Sequence, residues 1–237
     1  MPRKKRDYNP NSFYHCILRG NNRHNVYPTD EDMHELLRAF ELAYDRYPFQ
    51  VVAFCFMSNH YHVLIRSAGD DLANIMRITN KRYSDSYHDR YGFTGRIYQG
   101  RYWANEVPTV QGLLEVSAYI HRNPIETEVP MVESLEDYPY SSFPYYAFSD
   151  LIPPRFLDTT YLPNLLPYPF APNKEGYLAF VLHRTFFAIE DGRYKEEVHS
   201  QALVPFKALV LRDRRIRGMR TMVPEDEKGQ PVVDCPE

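Results

Sequence analysis

What the chain has little of narrows it first. It holds three cysteines in 237 residues, Cys16, Cys55 and Cys235. Their spacing forms neither a disulfide framework nor a thiolate metal site. Cys16 and Cys55 sit in apolar runs and read as buried thiols. Long apolar runs are also missing. The longest, Val51 to Met57, falls far short of a membrane span. No apolar segment follows the charges of Met1-Pro2-Arg3-Lys4-Lys5-Arg6-Asp7, so no export signal is expected. No internal repeat is found. The sequence therefore reads as a soluble cytoplasmic protein with no membrane partner.

Net charge is small too, at −3. That value hides an asymmetry. Residues 1–125 hold 16 Lys and Arg against 13 Asp and Glu, whereas residues 126–237 hold 12 against 18. The basic first half can offer a nucleic-acid surface that net charge alone does not suggest. Aromatics are abundant, with 20 Tyr, 14 Phe and 1 Trp. They fill cores, and they can also stack on unpaired bases.

The chain reads as β-α-β-β-α-β-α. Phe13 to Arg19 is a strand, and Gly20-Asn21-Asn22-Arg23 a turn. Thr29 and the acids after it open a helix whose apolar positions run to about Tyr47. Gln50 to Ser58 and His60 to Arg66 are two strands of a tight antiparallel hairpin. Asp70-Asp71 opens a second helix with inner stripe Leu72, Ile75, Thr79, Tyr83 and Tyr87. Arg77 and Lys81 fall on another face of it, which reads as a backbone contact or a solvated surface. Arg96 to Val107 is expected as a fourth strand, its Arg96 and Arg101 interleaved with Tyr98, Tyr102 and Trp103. Thr109 caps a third helix from Val110 to about Arg122. The first six elements match the split βαβ, ferredoxin-like pattern. The expected class is α+β, an antiparallel sheet with helices packed on one face and a less regular C-terminal extension.

The expected organisation is a basic arm at residues 1–11, a domain at 12–148, an extension at 149–220 and a disordered tail at 221–237. The arm carries Arg3, Lys4, Lys5 and Arg6, suited to phosphate or to solvent alike. In the extension, Asn173 is expected to cap a helix reaching about Ile189. Arg212, Arg214, Arg215, Arg217 and Arg220 form a second basic cluster.

The chemistry centres on His60-Tyr61-His62. Side chains alternate along a strand, so His60 and His62 share one face while Tyr61, Val63 and Ile65 share the other. Two imidazoles a strand step apart either hold one divalent metal or are two half-exposed histidines. Tyr119 and Asn123 stand four residues apart on the third helix, which puts them on one face beside the core stripe. Pro124 biases Asn123 away from helical geometry. A phenol of pKa about 10 is a poor nucleophile unless a cation neutralises its target. Two imidazoles and an amide oxygen leave room for phosphate and water, and suit Mg²⁺ or Mn²⁺ better than Zn²⁺.

The ordered motifs resemble the REP-associated tyrosine transposases, a branch of the single-tyrosine HUH transposases. The resemblance rests on Tyr14-His15-Cys16-Ile17-Leu18-Arg19-Gly20-Asn21-Asn22-Arg23, Met57-Ser58-Asn59-His60-Tyr61-His62-Val63-Leu64 and Tyr98-Gln99-Gly100-Arg101-Tyr102. It continues through Tyr119-Ile120-His121-Arg122-Asn123-Pro124 and Tyr138-Pro139-Tyr140-Ser141-Ser142. It covers residues 12–143. It implies a single-strand endonuclease and strand transferase acting beside hairpin DNA through a 5′-phosphotyrosine link. Tyr119 would be the nucleophile, with His60, His62 and Asn123 as metal ligands, and the protein would be a monomer or homodimer. DNA contacts are expected from the N-terminal arm and from Arg19, Asn21, Asn22, Arg23, Arg77, Lys81, Arg96 and Arg101. Tyr61 departs from the smaller aliphatic residue usual between the histidines, and residues 150–237 match nothing familiar. His15 faces an unknown side of its strand; it could join the site, with core packing or a DNA contact expected ahead of that. The competing readings are a silent nucleic-acid-binding regulator on the same fold, and a metal-dependent hydrolase using activated water.

Overall fold

The computed structural model describes residues 8–67 and 71–183, and the backbone of 187–190 and 193–196. The N-terminal Arg3, Lys4, Lys5 and Arg6, the basic cluster at 212–220 and the expected tail lie outside the described residues.

Four strands form an antiparallel sheet: β1 (Phe13–Arg19), β2 (Phe49–Met57), β3 (His60–Ser67) and β4 (Trp103–Val107). Their spatial order is β2-β3-β1-β4, the order of a split βαβ unit. The helices are α1 (Asp30–Arg46), α2 (Leu72–Tyr91), α3 (Val110–Arg122), α4 (Phe143–Ala147) and α5 (Lys174–Leu182). A hairpin of β5 (Phe187–Glu190) and β6 (Arg193–Glu196) follows.

Sequence alternation dictates the two faces. Tyr14, Cys16 and Leu18 of β1, with Tyr61, Val63 and Ile65 of β3, bury against Leu36, Phe40 and Ala43 of α1 and Ile75 and Tyr83 of α2. The register shifts between Val51 and Ala53, a bulge that keeps Phe54 and Phe56 turned to this core. The crossover helices thus share one face, as expected. The expectation needs extending for α3, whose Leu113, Leu114 and Ile120 bury on the opposite face against Cys55, Met57 and Leu64. Phe143 and Tyr146 of α4 and Tyr177 and Val181 of α5 complete that second core. Residues up to 182 of the extension are therefore packed into the domain.

Two expected elements are corrected. The fourth strand begins at Trp103, not Arg96. Before it the chain meets the end of β1 through a Gly20–Tyr98 bridge, with Asn21 N–H on the Ile97 carbonyl at 2.8 Å and Gln99 N–H on the Arg19 carbonyl at 3.0 Å. Tyr98 and Tyr102 are tied down, their hydroxyls 3.1 Å from Tyr27's and 2.6 Å from Tyr8's. They do not form part of the strand of interleaved Arg and aromatics that the sequence suggested. The helix capped by Asn173 ends at Leu182, and Phe187 to Glu190 is strand, in keeping with its alternating Phe187 and Ile189.

The sheet's edges differ. β2 is covered, with Val51 N–H on the Phe156 carbonyl and Phe56 N–H on the Tyr140 carbonyl, each at 2.8 Å. Among the described residues no strand pairs with the outer edge of β4.

Candidate active site

Register fixes which side chains meet. Ile17 pairs with His62 on one side and with Trp103 on the other. Arg19 pairs with His60, and His15 with Leu64 and Asn105. Cross-strand partners share a face. Arg19, His15, His60, His62, Trp103 and Asn105 therefore line the α3 side of the sheet.

The hairpin tip beside His60 is held by the turn after β1. Gly20 N–H donates to the Asn59 carbonyl and Tyr27 N–H to the Ser58 carbonyl, each at 2.8 Å. A Cβ on Gly20 would stand 2.2 Å from the His24 carbonyl oxygen, so only glycine fits this approach. Asn22 and Arg23 adopt left-handed backbone, with φ of 50° and 57°. The Arg19–Arg23 motif is thus a shaped, exposed loop against the histidine hairpin.

Hydrogen bonding sets the tautomers of the histidines. His60 Nδ1 lies 2.5 Å from Asn59 Oδ1. An amide oxygen only accepts, so His60 carries its proton on Nδ1 and leaves the Nε2 lone pair open. His62 Nδ1 lies 2.9 Å from His15 Nε2. With His62 as donor in that pair, its lone pair is on Nε2, which is buried and has no partner. An orphaned buried acceptor costs stability unless something takes it. Burial holds His15 at about 3. Burial and the Arg19 charge hold His60 at about 4. Burial, then His60 and His15, holds His62 well below its usual range. All three imidazoles are neutral at physiological pH, the form that binds metal.

Tyr119 reaches this cluster from α3. Its ring centroid lies 5.5 Å from that of His62, edge-on, and 6.1 Å from that of His15. Burial pushes its phenol up, while the Asn123 side chain and the Arg19 charge pull it back down. Asn123 stays helical (φ −45°, ψ −42°) despite Pro124, so the four-residue spacing survives. Its Nδ2 donates to the Tyr119 carbonyl at 2.8 Å, which leaves Oδ1 as the donor atom for a cation. The residues present fit a divalent ion: two neutral imidazoles, one with a buried orphan nitrogen, and an amide oxygen. Among the described residues no group of three or more His, Cys, Asp or Glu is placed to hold a metal ion, so a site here would rest on two imidazoles and the amide.

The expected DNA contacts divide. Arg19, Asn21, Asn22 and Arg23 are exposed beside His60, and Arg96 and Arg101 are exposed on the approach to β4. Arg77 and Lys81 project from α2, on the far side of the sheet, and Lys81 pairs with Asp85 at 2.5 Å. The site does not gather them. Sequence reasoning left the place of His15 open and ranked a role in the site last. His15 lies two residues from Ile17, and the register of β1 against β3 would have placed it on the histidine face.

Residues 9–123 match the family model "Transposase IS200 like". That stretch belongs to the IS200-like transposase family. The chain is also 27% identical over 155 residues to a Haemophilus influenzae protein described as a REP-associated tyrosine transposase, across 60% of this chain and 86% of that one. It shares its fold with a solved REP-associated tyrosine transposase bound to a REP hairpin. The TM-score is 0.52 at 22% identity, over 68% of this chain and 94% of the other. Among the described residues no helix is long and apolar enough to cross a membrane.

Proposed function

We propose that this transposase is a REP-associated tyrosine enzyme that cuts and rejoins single-stranded DNA beside a hairpin. The observation that carries the reading is Tyr119 set 5.5 Å from His62, whose buried Nε2 has no partner. His60 and His62 would hold Mg²⁺ or Mn²⁺ through Nε2, with Asn123 Oδ1 beside them. When bound, the cation neutralises phosphate charge and polarises the ester. The chain's own groups do the rest. Tyr119 Oη loses its proton and bonds to phosphorus as the P–O3′ bond breaks, and the departing 3′ oxygen takes up a proton. Asn123 and Arg19 favour the phenolate against burial. His15 holds the His62 ring in its tautomer. Attack by the 3′-hydroxyl on the phosphotyrosine link reverses the step, so no nucleotide cofactor is consumed.

Residues 12–148 would form the catalytic unit and 149–220 an extension, of which the part up to Leu182 packs on α3. Tyr119, Asn123, His60 and His62 lie on one chain, so a single copy would suffice for the cut.

The test is incubation with a hairpin oligonucleotide bearing single-stranded flanks from the DNA beside the chain's own gene, with Mg²⁺ or Mn²⁺. On a denaturing gel the expected result is a covalent protein–DNA band that is lost in Tyr119→Phe. Cleavage without an adduct would favour activated water. Tight binding without cleavage in either metal would favour a regulator.

A further inference from the structure

The chain's single tryptophan, Trp103, stands at the open edge of the site. It is 37% exposed, whereas the tyrosines around it are tied by their hydroxyls. Its ring stands edge-on to His15 at 5.9 Å, and the His15 ring lies 5.1 Å from that of His62. His62, Ile17 and Trp103 form one row across three strands. At roughly 4.8 Å per strand the indole lies about 10 Å from the histidine pair along the sheet. Among the described residues, nothing pairs with the far edge of β4. Arg101 precedes the ring and Arg19 lies one row away, both exposed. The surrounding β4 positions Ala104, Asn105 and Glu106 form no apolar patch that would suit a protein partner.

We infer that Trp103 is a stacking platform for an unpaired base next to the scissile phosphate, on a strand that crosses β4 into the site. This rests on the transposase reading above. An indole face accepts any base, is sequence-tolerant, and works with neighbouring guanidinium charges on the backbone. It would orient the nucleotide so that its phosphate meets Tyr119. It would not touch the reacting atoms, so Trp103 is a positioning residue.

The position makes its own reporter. With one tryptophan, emission reads this ring alone. The probe is the hairpin oligonucleotide with single-stranded flanks, titrated into the full chain in EDTA. Binding is expected to quench the emission. Trp103→Ala should weaken flank-dependent affinity about tenfold, while Trp103→Phe retains most of it. A walk of single abasic sites through the flanks supplies the discriminating readout. One position should cost the native chain about tenfold in affinity or cutting, yet cost Trp103→Ala almost nothing further. If the hairpin binds while emission stays constant and every abasic position acts alike in both chains, the stacking role is overturned and the tyrosine mechanism stands. Absence of any hairpin binding or adduct would overturn both together.

Discussion

The two faces of the sheet carry opposite kinds of information. The face under α1 and α2 is closed by aromatic packing. Phe40 stacks parallel on Phe56 with centroids 5.7 Å apart and meets Tyr61 edge-on at 5.7 Å. Its tyrosine hydroxyls are taken up by neighbours, such as Tyr61 on Asn80 Oδ1 at 2.7 Å, although the buried Thr79 hydroxyl has no hydrogen-bond partner. The face under α3 is split. One end is apolar and shared with α5. The other holds His15, His60 and His62, brought together with an unsatisfied nitrogen. Behind α3 a buried polar set fixes the helix to the start of α4 and to the extension. His121 Nε2 lies 2.7 Å from Ser142 Oγ, and the Tyr177 hydroxyl donates to Ser117 Oγ at 2.8 Å. Arg122 reaches the Val181 and Leu182 carbonyls at 3.3 Å. One face thus supplies rigidity by burial, and the other spends polar groups on holding Tyr119 over the histidines.

The largest expected effect separates those roles. Tyr119→Phe removes the nucleophile and should lower adduct formation about 10³-fold or more. Its melting temperature should hardly move. Phe40→Ala should do the reverse, costing about 3–5 kcal/mol in urea unfolding while cleavage per folded molecule persists. A Phe40→Ala chain that is folded but as inactive as Tyr119→Phe would break the division of labour.

His15 sits on the boundary between packing and chemistry. His15→Gln should weaken Mn²⁺ affinity about 10–100-fold by releasing the His62 ring. Calorimetric titration of the metal alone would read this, with the melting temperature as control. A lost fold with unchanged affinity in the residual native fraction would make His15 a packing residue.

Acid should attack the α3 face first. His15 and His121 are held at about 3 and His60 at about 4, against 6.5 when unfolded. These folded-state values are depressed. Between pH 6.5 and about 4 the unfolded chain therefore binds protons that the native chain does not, and stability falls as pH falls. Each histidine contributes up to about 1.4 kcal/mol per pH unit. Urea unfolding in EDTA at pH 7.5 and 5.5 should show the loss, and His121→Gln should reduce its slope. No pH dependence over that window would mean that protons reach the native histidines.

The sequence carried the aromatic face well. Alternation in β3 assigned Tyr61, Val63 and Ile65 to one side, and the stripe Leu72, Ile75, Thr79, Tyr83 and Tyr87 is buried along α2. It also put His60 with His62 and Tyr119 with Asn123, because both pairs rest on local periodicity. What it missed or left open depends on partners far along the chain. His15 needed the β1–β3 register. The loss of strand before Trp103 needed the Tyr8 and Tyr27 hydroxyls that capture Tyr102 and Tyr98. The packing of 149–182 onto α3 has no periodic signal, because Pro-rich turns carry most of it. Exposure likewise did not tell a cation beside the site from one behind the sheet.

That last failure yields the smallest and sharpest comparison. Arg19 and Lys81 are both exposed basic residues, yet they lie on opposite sides of the sheet. Lys81→Ala removes an exposed ion pair with Asp85, worth a few tenths of a kcal/mol at most. It should leave hairpin affinity and its salt dependence nearly unchanged. Arg19→Ala removes a charge paired in register with His60, one that bears on both His60 and Tyr119. It should reduce the slope of log affinity against log salt by about one unit, and slow cutting further because the phenol loses a neighbouring cation. Binding measured from 50 to 300 mM salt distinguishes them. Equal slopes for the two variants would mean that DNA reaches around the α2 face, and that the sheet does not separate the cations as its geometry indicates.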